Sequence, residues 1–210
     1  MKKEYEKLVD FIKDEKRNEA VLYTLKLLKE KKITIITLFE EILAKALNTI
    51  NCDLSPEECI WMEHVQTSIV RSIVEVSYPY VIKEIEKSKK KSKKVLVVCP
   101  SEEYHEIGAK IIHDFFLVAG YDATFVGANT PQSEIISASR YIKPDYVALS
   151  VTNYYNIIKA TRIVDALKKE NKDIKIIIGG RAFTDENARN QITHDYYLTT
   201  YQDIVEMGDE

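Results

Sequence analysis

Apolar residues recur at helical spacing through the first part of the chain. Leu8, Phe11 and Ile12 form one stripe, Val21, Leu22, Leu25 and Leu28 a second, and Leu38, Ile42, Leu43, Ala46 and Leu47 a third. Lys31-Lys32 and Asn51-Cys52-Asp53 read as breaks between them. Ser55-Pro56-Glu57-Glu58 has the form of a helix start: the serine can cap, the proline suits the first turn, and the acids favour the positive end. A long fourth helix is expected from there to about Glu86, ended or kinked at Pro79, which lacks the N–H a helix interior needs. Helices joined by short connections predict a four-helix, up-and-down bundle.

The period then switches. Short β-branched runs alternate with helical stretches: Val95 to Cys99 and Ile107 to Ala119; Ala123 to Val126 and Gln132 to Tyr141; Tyr146 to Ser150 and Ile157 to Lys169; Ile174 to Ile178 and Asp185 to Gln191. Tyr196 to Leu198 is a weaker last strand, and Tyr201 to Met207 a final helix. Nearly continuous apolar strands between helices imply a parallel sheet covered on both faces. Right-handed crossovers favour a doubly wound α/β fold of flavodoxin type, five strands in the order 2-1-3-4-5, with ligands at the strands' carboxyl ends. The lysine-rich run Lys87-Ser88-Lys89-Lys90-Lys91-Ser92-Lys93-Lys94 is too charged to pack and reads as a helix end entering an exposed linker. The expected organisation is a helical cap bundle over 1–87, a basic linker over 88–94 and a ligand-binding α/β domain over 95–210.

With 210 residues, 45% of them hydrophobic, the chain supports a real core, and 30% charged residues suit a soluble surface. A formal net charge of -3 creates no general field for polyanions, so no nucleic-acid contact is expected. The charged start Met-Lys-Lys-Glu is unlike a secretory signal, and no stretch approaches a membrane span. Cys52, Cys59 and Cys99 therefore read as free thiols in a cytoplasmic protein. Cys52, Cys59 and His64 lack the spacing of a compact zinc site. Cys99 is expected to pack in its strand, although its nearness to His105 makes a redox role conceivable. His113 reads as structural or exposed, and His194 has no evident partner. The glycine turns match neither a dinucleotide fingerprint nor a phosphate loop.

In a parallel sheet the carboxyl-end loops share one rim. Here they carry His105 after the first strand and Gly127-Ala128-Asn129-Thr130-Pro131 after the second. Ser150-Val151-Thr152-Asn153 follows the third strand, and Gly179-Gly180-Arg181-Ala182-Phe183 the fourth. A switch point between strands one and three places His105 and Ser150 across one crevice. His105 lies in Glu103-Tyr104-His105-Glu106-Ile107-Gly108. A ring nitrogen there can ligate a metal while the carboxylate fixes the proton on the other nitrogen. Read from the residues alone, a lone loop histidine is more often a surface or core residue than a ligand, and the domain could bind another small molecule or a protein. Tyr154 and Tyr155 either pack at a ligand rim or cover the sheet.

The segment Glu103-x-His105-x-x-Gly108 resembles the Asp/Glu-x-His-x-x-Gly signature of cobalamin-binding domains, and the likeness extends from about Lys94 to Met207. It implies a cobalamin cofactor, of open upper-ligand form, held with its own base displaced and His105 as lower cobalt ligand. It implies that Glu103 and Ser150 support His105 by hydrogen bonds. It also implies that Gly108, Asn129, Thr130, Ser150, Thr152, Gly179 and Gly180 line the cofactor and its nucleotide tail. Methyltransferase members of the family usually have aspartate at the place of Glu103, whereas regulatory members, similar to B12-dependent photoreceptors, often have glutamate. Trp61, His64 and Ser68 share a helical face with Glu63 beside them. Glu63-His64 resembles the Glu-His pair of the regulators' helical cap, although their tryptophan lies about ten residues ahead of the pair, and Trp61 lies only two ahead. Trp61, Glu63 and His64 are thus expected over the corrin's upper face, with core packing the alternative for Trp61 and a buried hydrogen-bonded state for His64. Two functions follow from the resemblance. One is a methyl carrier, the corrinoid subunit of a methyltransferase system, working with partner methyltransferases. The other is a sensor, light-responsive or not, acting through a signalling partner. A storage or delivery protein is a third, and a homodimer is one option for its assembly.

Overall fold

The structure, a computed structural model describing residues 2–48 and 55–207, divides into two compact units, Met1–Glu86 and Lys87–Glu210. In the first unit α1 (Lys2–Lys13) and α2 (Arg17–Lys29) precede a π-helical segment, Thr37–Leu43, that continues into α3 (Ala44–Asn48); α4 spans Pro56–Ile85. The three stripes supply the core through Leu8, Ile12, Leu27, Leu28, Leu38, Ile42, Leu43 and Ala46, whereas Leu22 faces solvent. The break at Lys31 is real, with a left-handed backbone at φ 54°. The break expected at Asn51-Cys52-Asp53 lies outside the described residues. Ser55 caps α4: its hydroxyl accepts from Glu58 N–H, and the Glu58 carboxylate accepts from Ser55 N–H.

Pro79 does not end α4, which continues to Ile85. The missing donor faces the carbonyl one turn earlier, at Glu75, and both residues are exposed, so water can satisfy that oxygen. Of the cysteines, Cys99 is free and buried. Cys59 is disulfide-bonded, contrary to the free-thiol expectation, and Cys52 lies outside the described residues.

In the second unit five strands lie in the order β2-β1-β3-β4-β5, all parallel: β1 Lys94–Pro100, β2 Asp122–Thr130, β3 Tyr146–Ser150, β4 Lys175–Gly179 and β5 Tyr196–Tyr197. The crossover helices are α5 (Ile107–Val118), α6 (Gln132–Ile142), α7 (Ile157–Glu170) and the short α8 (Glu186–Arg189), with α9 (Tyr201–Glu206) at the end. Leu96, Val98, Val147, Leu149, Ile176 and Ile178 form one core layer with Ile135, Ile157, Ile163 and Val164 of α6 and α7. Alternation along each strand turns Val97, Cys99, Ala148 and Ile177, all buried, toward the opposite face.

Two departures concern the two ends of β1 and β2. The basic seam does more than link, because Lys91 N–H donates to the Gly120 carbonyl at 2.7 Å. Gly120, at φ 92°, lies so close under this run that an added Cβ would strike the Lys89 carbonyl. The lysine side chains stay largely in water while the backbone docks, which a charge count does not foresee. The second strand also runs past Val126 to Thr130, through register shifts against β1 that Gly127 (φ 115°) and Asn129 (φ 50°) absorb with positive φ. Replacing Pro79 with alanine restores the missing donor; urea unfolding followed by far-UV circular dichroism should show a gain of about 2 kcal/mol.

Candidate functional site

β1 ends in a tight turn closed by Glu103 N–H donating to the Pro100 carbonyl at 3.0 Å. The turn sends Glu103 inward and His105 outward. Glu103 has no exposed surface, whereas the His105 side chain is 58% exposed. Glu103 Oε1 accepts from His105 Nδ1 at 2.6 Å and from His105 N–H at 3.1 Å. Its Oε2 crosses the switch point to accept from the N–H groups of Thr152 and Asn153, each at 2.9 Å, and from Asn156 Nδ2 at 3.3 Å. Burial pushes this carboxyl up from the usual 4.5. The His105 ring and the Asn153, Thr152 and His105 backbone donors outweigh burial and hold it at about 2. Glu103 is therefore ionised and can only accept, so the imidazole proton belongs on Nδ1 and the basic nitrogen is Nε2.

The expected site residues divide by what they touch. Thr152 supports Glu103 through its backbone rather than its hydroxyl. Ser150, expected to support His105, is not among the donors to Glu103. It pairs in register with Gly179, so two small residues face each other where β3 and β4 end. Asn129 is engaged with the histidine loop itself: its Oδ1 accepts from Glu102 N–H at 2.8 Å, and its N–H donates to the Glu103 carbonyl at 2.9 Å. Thr130 is buried and donates its hydroxyl to the Gly127 carbonyl at 3.2 Å.

The glycines differ in kind. Gly180, at φ 97°, lies against the Val151 backbone where no Cβ fits, and a Cβ on Gly179 would lie 3.3 Å from the Leu198 carbonyl. Gly108, in the first turn of α5, would meet nothing within 4 Å. Neither packing nor backbone conformation asks for glycine there, and alanine is the better helix former, so the space it keeps open suits a ligand.

Trp61, Glu63 and His64 stand on α4 in the first unit, and all three are exposed; Trp61, at 51%, is not a core residue. Ser68, on the same face, accepts from Arg17 at 2.7 Å. Asn156 went unseen in the sequence: it is buried, it reaches the carboxylate from the turn before α7, and no local spacing announces it. Burial, then the charges of Glu103 and Glu106, push the Cys99 thiol up to about 12, so it stays protonated, which argues against a redox role. His113 binds Asp114 at 2.9 Å and lies beside Phe125, a structural placement, while His194 Nδ1 bonds the Ile192 carbonyl. Tyr155 and Ile158 are exposed near the rim rather than laid over the sheet, and Tyr104 is exposed beside His105. Among the described residues no helix is long and apolar enough to cross a membrane, and no group of three or more His, Cys, Asp or Glu is placed to hold a metal ion by protein ligands alone.

Residues 93–206 match the family model described as the B12 binding domain. The chain belongs to this family. Its cofactor is cobalamin. Over 125 residues, 58% of the chain, it is 27% identical to trimethylamine corrinoid protein 1 of Methanosarcina mazei, of which it covers 57%. The chain thus spans little more than half the length of that curated relative. Over 87 residues, 41% of the chain, it is 25% identical to the HTH-type transcriptional repressor CarA of Myxococcus xanthus, covering 30% of that protein. The monomethylamine corrinoid protein of Methanosarcina barkeri shares the fold over 98% of this chain and 97% of that one, with a TM-score of 0.80 at 14% identity.

Two measurements test this geometry. Glu103→Gln keeps the shape but turns an amide toward N–H donors. A carboxyl moved from 4.5 to about 2 contributes on the order of 3 kcal/mol, fully present above pH 4.5 and lost as pH falls through about 2. The stability gap between wild type and Glu103→Gln, measured by denaturant titration without cofactor, should therefore be widest near neutrality and narrow across that window. Gly108→Ala should leave the cofactor-free protein as stable or up to about 1 kcal/mol more stable, yet weaken cobalamin binding. Gly180→Ala should lower stability before any ligand is added.

Proposed function

We propose that this chain is a corrinoid methyl carrier that holds cobalamin base-off, with His105 Nε2 as the lower cobalt ligand and a methyltransferase as partner. The observation that carries the reading is the exposed imidazole whose Nδ1 is held at 2.6 Å by a buried, ionised carboxylate. That arrangement settles the tautomer, orients the ring and raises the basicity of the outward nitrogen, as a metal ligand requires. The residues fit the cofactor in other respects. Gly108 keeps space open beside the histidine loop, and the paired Ser150 and Gly179 suit a narrow slot for the nucleotide tail. Tyr104, Tyr155 and Ile158 offer exposed apolar surface near the rim. In this reading Thr152 and Gly180 shape the tail slot. When bound, cobalamin supplies a cobalt centre able to carry a methyl group; the protein supplies orientation and electrostatics. The similarity to trimethylamine corrinoid protein 1 supports the carrier role.

A second reading, a cobalamin-dependent sensor acting through a partner, draws on Glu103 in place of aspartate and on the similarity to the CarA repressor. Loading with adenosylcobalamin and illuminating separates the two: a light-driven change in size or partner binding favours the sensor, and methyl transfer through a partner methyltransferase favours the carrier.

His105→Ala should bind cobalamin more weakly and shift the visible spectrum of the bound cofactor to that of a form without imidazole below the cobalt. A spectrum identical to wild type removes His105 from the ligand role.

A further inference from the structure

Glu102, the residue before the buried carboxylate, has a left-handed backbone at φ 65°, a conformation that non-glycine residues seldom adopt unless their surroundings enforce it. Three elements grip it. Asn129, at the end of β2, accepts from Glu102 N–H through Oδ1 at 2.8 Å. Asn156, in the turn before α7, donates from Nδ2 to the Glu102 carbonyl at 3.2 Å. Lys159, in the first turn of α7, reaches Glu102 Oε2 at 2.6 Å and donates to Asn156 Oδ1 at 3.2 Å. The same Asn156 amide group also donates to Glu103 Oε2. The clamp therefore ends on the carboxylate that holds the imidazole.

We infer that Lys159 and Asn129, both outside the histidine motif, are positioning residues that hold the Glu103–His105 pair ready for its ligand by fixing Glu102 in its left-handed turn. The inference rests on the reading of His105 as the cobalt ligand. Its physical basis is local. The Lys159–Glu102 pair involves a carboxylate side chain that is 71% exposed, and such pairs add little to global stability. Releasing Glu102 lets the turn relax toward an ordinary backbone, which loosens the hydrogen bond to His105 Nδ1 and frees the ring to rotate while Thr152 and Asn153 keep their hold on Glu103. A binding site loosened in this way loses affinity without unfolding.

The test uses the full chain with Lys159→Met, Asn129→Gly and, as the conservative control, Lys159→Arg. Asn129→Gly keeps the positive φ available and removes only the side chain. The first readout needs no cofactor: in wild type, proton NMR of nitrogen-labelled histidine should show a protected His105 Nδ1–H. In Lys159→Met and Asn129→Gly that signal should broaden or vanish, while thermal midpoints stay close to wild type. The second readout is titration with hydroxocobalamin. Affinity should fall about tenfold or more in both variants, with part of the bound cofactor lacking the imidazole-ligated spectrum, as for other outer supports of a metal ligand. Lys159→Arg should restore both readouts. An unchanged Nδ1–H signal in both variants overturns the inference, and so does wild-type affinity and spectrum in both. Failure of Lys159→Arg to restore overturns the ion-pair part. Should Asn129→Gly fail to fold, Lys159→Met decides alone. His105→Ala, run alongside, separates the two claims. If that variant binds hydroxocobalamin with the wild-type spectrum, the ligand reading fails, and the NMR readout still decides whether the clamp orders the ring.

Discussion

A carboxylate removed from water must find a donor for nearly every lone pair, or it takes up a proton and loses its charge. Glu103 is fully buried at the rim of a parallel sheet, and five N–H donors meet it. Two come from His105 on its own loop; the others come from Thr152, Asn153 and Asn156, beyond the neighbouring strand. This one interaction ties the exit of β1 to the exit of β3 and fixes both the tautomer and the direction of the imidazole. The rest of the site is arranged around it. The left-handed turn at Glu102 aims the carboxylate inward, and the shifted register of β2 brings Asn129 under that turn.

The sheet order explains why such an interaction is available here. With β1 flanked by β2 and β3, the chain leaves β1 toward one face of the sheet and β3 toward the other, so the two loops part and leave a crevice. Glu103 bridges the floor of that crevice, and His105 is presented at its mouth. The glycines along the rim serve two physical ends. Gly180 lets the backbone pass Val151 where a side chain cannot fit, so it answers to the fold. Gly108 has open space and no conformational need, so the fold itself does not call for it.

Much of this was legible in the residue order. Alternating helical and β-branched runs marked the strands and the crossovers, because strands covered on both faces are written as apolar runs, and the doubly wound class supplied the order 2-1-3-4-5. The Glu103-x-His105-x-x-Gly108 segment and the small residues Ser150, Gly179 and Gly180 marked the rim and pointed to its cofactor family. Other features were not legible. Pro79 reads as an end or a kink of the fourth helix, and only the structure shows α4 continuing past it to Ile85, since an exposed carbonyl can turn to water. The lysine run reads as a free linker, yet its backbone docks on Gly120, since a charged side chain and a bonded peptide group are independent.

Whether an element forms, and which of its faces is apolar, depends on neighbours along the chain, and so the sequence by itself determined the order of helices and strands and the residue types at each loop. Which donors satisfy a buried charge depends on residues far apart in sequence and near in space. Only the tertiary structure could decide that Glu103 would be held by Thr152, Asn153 and Asn156, or that Asn129 and Lys159 would grip Glu102. Hydrogen bonds act over about 3 Å, and no periodicity or motif spacing encodes which distant side chain the fold will carry to within that distance.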